Sequence, residues 1–215
     1  MQLGIDILLI LIALTNLALT TLSALGTCIR VIALQGVLLG LVAVTVERKE
    51  LWLHTMVLAA VTAALKGLVF PRLLLRTIRA VNVAREVEPL IGYGLSTLAG
   101  TLALPAAIWL ATRLPPPAGP APASLLVPAA FHAILIGLFL IVTRRKAITQ
   151  VIGYLALENG IFLFGVGLIR QGTLLVDLGV LLDLFVAVFV MGIAIFHISR
   201  EFDHIDTDRL ALLKG

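Results

Sequence analysis

Residues 125–169 read LLVPAAFHAILIGLFLIVTRRKAITQVIGYLALENGIFLFGVGLI. Two apolar runs, Leu125–Val142 and Ile148–Ile169, flank the basic cluster Arg144, Arg145 and Lys146. A helix that spans a bilayer needs about 20 mainly apolar residues, because only intrahelical bonding satisfies the backbone in lipid. Both runs meet that requirement, and the charges between them suit a water-exposed turn. Applied outward, the same rule gives Leu3–Leu25, Val31–Val46, Leu51–Phe70 and Leu90–Ala111 before this stretch, and Leu174–Ile198 after it. The expected fold class is an all-α, polytopic transmembrane helical bundle of seven spans. Composition agrees: the 215 residues are 60% hydrophobic and 13% charged, whereas a soluble domain has about 45–50% apolar and about 25% charged residues. Met1–Asp6 contains no Lys or Arg, and the run behind it is longer than a signal-peptide core. The first helix is therefore read as retained.

Seven spans sort the basic residues. Arg30, Arg72, Arg76, Arg79, Arg85, Arg144, Arg145, Lys146, Arg200, Arg209 and Lys214 fall on one side, and Arg48, Lys49, Arg113 and Arg170 on the other. The positive-inside rule then puts the C-terminus in the cytoplasm and the N-terminus outside. Orientation in a bilayer thus accounts for the net charge of +4, with no need for a nucleic-acid partner. Pro115, Pro116, Pro117, Pro120 and Pro122 stiffen a segment without charge. It divides the chain into an N-terminal four-helix membrane part (1–113), an extracytoplasmic linker (114–124) and a three-helix membrane part with a cytoplasmic tail (125–215). Arg72, Arg76 and Arg79 follow at helical spacing, which fits either a basic arm that extends the third helix along the headgroups or, as the favoured reading, a positive anchor and nothing more. Gly36 and Gly40 give the second helix a face on which another helix can pack closely.

Ionisable residues inside the spans carry the functional signal. They are Lys66, His132, Glu158 and Asp183. A charge at the bilayer centre costs ~2.5–3.5 kcal/mol on insertion scales, so a chain that only had to sit in lipid would place leucine there. Apolar surroundings favour the neutral forms of acids and bases, which brings such groups within reach of proton exchange near neutral pH. Glu158 and Asp183 lie on successive antiparallel helices at similar depth, and together with Lys66 and His132 they form the candidate proton relay. The alternative is that these groups are neutral, hydrogen-bonded staples between helices. Cys28 is the one cysteine, which leaves no intramolecular disulfide and no cysteine cluster for a metal or iron–sulfur centre. The sequence contains no nucleotide-binding or zinc-protease motif, so no catalytic residue, metal site or cofactor is expected in this chain.

The stretch Val142–Asn159, VTRRKAITQVIGYLALEN, resembles the start of the second helix of the three-helix K-type subunit of respiratory complex I and of its relative, the C subunit of Mrp-type antiporters. The shared features are the basic pair Arg144-Arg145, the Ile152-Gly153 step, the embedded acid Glu158 and Asn159, with Asp183 in the place of a second acid. The complex I acid stands about one turn earlier, at the position of Leu155, and positions three apart share a helix face. Over its whole length, with GYLALENG, Lys66, His132 and the ending LALLKG, the chain resembles hydrogenase-4 component E, a membrane subunit of formate-hydrogenlyase-type, group 4 [NiFe] hydrogenase complexes. This resemblance implies a subunit of the prokaryotic cytoplasmic membrane that has no catalysis of its own. Its expected neighbours are an antiporter-like membrane subunit and the membrane anchor subunit of the hydrogenase arm, with hydrophilic subunits carrying NiFe and iron–sulfur centres beyond them. It also implies that the intramembrane acids couple redox chemistry to ion translocation. A structural scaffold docking antiporter-like subunits, or a subunit of a multisubunit cation/proton antiporter, remain the alternatives.

Overall fold

The structure, a computed structural model, describes residues 2–46, 60, 63–80, 90–114 and 124–168. Helix takes 91% of them and no strand occurs among them, so the fold is all-α. The helices are α1 (Gln2–Thr21), α2 (Leu25–Val46), a π-helical turn (Leu65–Val69) running straight into α3 (Phe70–Ala80), α4 (Tyr93–Arg113), α5 (Leu126–Thr143) and α6 (Ala147–Leu168). Five of them, α1, α2, α4, α5 and α6, are long and apolar enough to cross a membrane. Their outer faces carry bare apolar side chains: Leu95, Leu98, Leu102 and Trp109 of α4 are each more than half exposed. In water such a surface would aggregate, and in a bilayer it meets acyl chains. The protein is a multi-pass membrane protein.

Most of the span boundaries expected from hydropathy lie within a few residues of the helices found. Two differ for a physical reason. α1 ends at Thr21 rather than at Leu25, and α2 starts at Leu25, well before Val31. Arg30 had marked the head of the second span, but it is an exposed residue on a continuous helix. A long guanidinium side chain reaches the interface from inside a helix without ending it. The third span is described only from Ala63 onward, apart from Ala60. The helix continues past Phe70 to Ala80 with Arg72 and Arg76 exposed, so the arm is helical. Its π turn precedes Pro71, and Phe70 N–H donates to the Leu65 carbonyl five residues back. Proline lacks an N–H and crowds the carbonyl four residues before it; widening that turn relieves the crowding, as elsewhere in membrane helices. The linker segment 115–123 and the seventh span, with Asp183, lie outside the described residues.

Among the described helices, α5 and α6 make the closest pair. Small residues recur with the same spacing on each: Ala130, Ala133 and Gly137 on α5, Gly153, Ala156 and Gly160 on α6. A Cβ added at Gly160 would lie 2.6 Å from the Ile134 nitrogen, and one at Gly137 would collide with the Leu157 backbone. The two backbones therefore touch where side chains would otherwise hold them apart.

Two apolar cores fill the bundle. One gathers Leu19 of α1, Ile29 and Ile32 of α2, Leu74 of α3, Leu140 of α5 and Leu155 of α6; the other gathers Leu9, Leu39, Ala130 and Leu163 from the same long helices. Residues from both sides of the proline-rich segment contribute to each core. Along α1, α2 and α6 buried polar residues lie between the two cores: Asn16, Gln35, and the pair Glu158 and Asn159. The molecule is layered as apolar, polar, apolar, and the polar layer is its unusual feature.

Candidate functional site

Glu158 and Asn159 are successive residues, about 100° apart on α6, and Lys66 enters the angle between them. Lys66 Nζ lies 2.6 Å from Glu158 Oε1 and donates to Asn159 Oδ1 at 3.3 Å. The Phe162 ring, one turn further along α6, has its centroid 5.3 Å from the same nitrogen and adds its negative face to the cation's surroundings. Lys66 is 3% exposed and Glu158 1%, so the lysine does not run out to the headgroups. A pair this deep survives only with good geometry and further hydrogen bonds, because desolvating two ions costs several kcal/mol each.

Local structure explains how Lys66 reaches α6. On α2, Gly36 has no side chain: a Cβ there would fall 2.5 Å from Lys66 Cβ and 3.1 Å from the Gly67 nitrogen. The π turn therefore lies directly on α2. Beside this contact, Gln35 joins the site: its Oε1 accepts from Asn159 Nδ2 at 3.1 Å, and its Nε2 donates to Asn16 Oδ1 at 2.9 Å and Thr15 Oγ1 at 3.0 Å. Four elements, α1, α2, the π turn and α6, are thus joined by one buried chain of polar groups. Asn16 and Gln35 are both fully buried.

Of the residues singled out from sequence, the structure brings Lys66 and Glu158 into contact. His132 is equally buried, but it sits elsewhere: its Nε2 lies 3.4 Å from the Gly100 carbonyl of α4, to which the Nε2–H tautomer donates. Its Nδ1 has no hydrogen-bond partner among the described residues. Asp183 falls outside the described residues. The amides Asn16 and Gln35 lie outside the sequence-expected site, because a neutral amide lacks the charge that marks Lys66 and Glu158. Their signal was present, since each interrupts an apolar run with a group that needs partners in lipid.

Arg144, counted among the basic residues of the cytoplasmic side, is 2% exposed. Its Nη2 donates to the Thr20 carbonyl at 3.1 Å, and the Tyr93 ring lies 5.9 Å from its guanidinium carbon. Thr20 belongs to the last turn of α1, whose carbonyls lack intrahelical partners and carry the negative end of the helix dipole. Arg144 therefore caps α1 from the end of α5. Burial pulls its pKa below the ordinary guanidinium value, while Tyr93 and Cys28 oppose that shift. Among the described residues, no three His, Cys, Asp or Glu side chains converge on a point where a metal ion could be held.

Residues 125–215 match the family of NADH-ubiquinone/plastoquinone oxidoreductase chain 4L. An uncharacterised Mycobacterium tuberculosis protein, Rv0085, is 33% identical over 187 residues, covering 86% of this chain and 84% of the relative. Hydrogenase-4 component E of Escherichia coli and that of Shigella flexneri are each 31% identical over 146 residues, or 66% of both chains. Among solved structures there is no match.

Proposed function

Because the chain belongs to the hydrogenase-4 component E family, with a C-terminal part of the complex I chain 4L type, we propose that it serves a complex I-like membrane complex as a proton- or charge-relay subunit. The observation that carries this reading is the Lys66–Glu158 pair, 2.6 Å apart in the polar layer. An ion pair in this position is costly for mere anchorage, and a small change in its surroundings can move a proton between its two members. Asp183 is the proposed next station and His132 a modulator acting from α5. The complex is of the group 4 [NiFe] hydrogenase, formate-hydrogenlyase type and sits in the prokaryotic cytoplasmic membrane. NiFe and iron–sulfur centres reside in partner subunits, and the direct neighbours are antiporter-like and membrane-anchor subunits.

A second reading also draws on the polar layer. Hydrogen bonds that join four elements suit a scaffold whose buried groups staple helices together, with antiporter-like subunits docked on its outside. Two variants separate the readings. Glu158→Gln keeps shape and hydrogen bonding but loses the ionisable proton; Glu158→Ala loses both. The relay reading predicts that Glu158→Gln assembles and sustains electron transfer without ion translocation. The staple reading predicts that Glu158→Gln is silent and that Glu158→Ala fails to assemble. Gentle purification of the tagged chain tests the complex itself: hydrogenase and iron–sulfur subunits should accompany it. Recovery with cation/proton antiporter subunits alone would instead favour the antiporter reading.

A further inference from the structure

The hydrogen-bond chain that ends on Lys66 has a direction. Thr15 Oγ1 donates its hydrogen to the Ile12 carbonyl at 2.8 Å, and a carbonyl can only accept. The Thr15 oxygen is left as an acceptor toward Gln35, and Asn16 Oδ1 presents a second acceptor beside it. Together they hold Gln35 by its amino group, which turns Gln35 Oε1 toward α6. There Oε1 takes a hydrogen from Asn159 Nδ2, which turns Asn159 Oδ1 toward Lys66. Reversing either amide would set acceptor against acceptor at one of its ends and donor against donor at the other, so the network itself assigns which atom is oxygen and which is nitrogen.

We propose that Gln35 is a positioning residue which, through Asn159, presents an acceptor oxygen to Lys66 and so keeps the shared proton of the Lys66–Glu158 pair on the lysine nitrogen. Without Gln35 Oε1, no other described residue accepts from the Asn159 amino group, and Asn159 turns. Lys66 then loses one acceptor and meets a donor instead. The proton crosses the 2.6 Å gap: an N–H bond of Lys66 breaks, an O–H bond of Glu158 forms, and the pair carries zero net charge before and after. The chain orients without conducting, because a carboxamide keeps both hydrogens on its nitrogen and hands none onward. Charge handled by the pair is thereby kept from α1 and α2. The other titratable side chain on this stretch of α6 is Tyr154, one turn before Glu158; α1 and α2 contribute only neutral groups to the chain. This inference deepens the relay reading and rests on it for its functional meaning.

The test is infrared difference spectroscopy of the purified, assembled complex, with the Glu158 band assigned by its loss in Glu158→Gln. The expected wild-type signal is a carboxylate. Gln35→Met, which keeps length but has no amide, should convert most of that signal to the neutral-acid band at the same pH. The pair Thr15→Val, Asn16→Leu leaves Gln35 in place but unanchored. It should move the band in the same direction, and it supplies the test where Gln35→Met does not assemble. An unchanged carboxylate band in the assembled variants overturns the proposal. If the band moves while Glu158→Gln still translocates ions, the relay reading falls and the positioning role stands. The opposite pair of results removes the positioning role alone.

Discussion

At the scale of single residues, each buried charge depends on its partner. Glu158 is 1% exposed and its carboxylate faces Lys66. Lys66→Met should therefore destabilise the assembled protein by about 3–5 kcal/mol, the usual cost of stranding one member of a buried pair. Lys66→Met combined with Glu158→Leu should recover much of that loss, since a well-packed apolar pair often replaces a buried ion pair without penalty. Thermal unfolding of the purified complex with each variant measures the coupling, and additive losses would contradict it. Lys66 and Glu158 were legible in the sequence because a charge inside an apolar run has few readings. Asn16 and Gln35 were less so: a neutral amide is cheaper to bury, and its partners lie on helices whose contacts the sequence does not state. The partner of Arg144 was not legible, because counting charges assigns a side to each arginine without saying whether its guanidinium meets a carbonyl.

At the scale of elements, small residues decide which helices touch. Gly160→Ala puts a methyl group 2.6 Å from the Ile134 nitrogen, and a backbone atom cannot swing aside as a side chain can. A loss of about 1–3 kcal/mol follows, typical of overpacking. Gly26→Ala is the matched control: nothing lies within 4 Å of its added Cβ, and alanine favours helix over glycine by ~1 kcal/mol. A lowered melting temperature for the first variant and an unchanged or raised one for the second would fit this packing. Equal effects would refute it. Helix identity was readable from apolar run length alone, since few other structures survive in lipid. Helix ends were harder to place. α2 begins at Leu25 because Arg30 can reach water from within a helix, and the π turn before Pro71 leaves no mark in hydropathy.

At the scale of the whole molecule, the layering explains how one bundle holds a charge pair in lipid. Apolar cores lie on either side of Lys66, Glu158, Asn159, Gln35 and Asn16, and the outer helix faces are apolar again. The sorted basic residues are the basis of a proposed orientation. Cysteines introduced near Gly119 on a Cys28-free background should react with an impermeant reagent from outside, and one near Lys146 only from inside; labelling of Gly119 from the cytoplasm alone would reverse the topology. Burial of Arg144 leaves that sorting intact, because Arg145 and Lys146 still mark the same turn. In the proposed relay the acids Glu158 and Asp183 move charge. The relay is tested most directly by ions translocated per electron in vesicles that carry the assembled complex with Glu158→Gln and Asp183→Asn together. Continued electron transfer with translocation lost is the predicted result. Translocation at the wild-type ratio would rule out the relay.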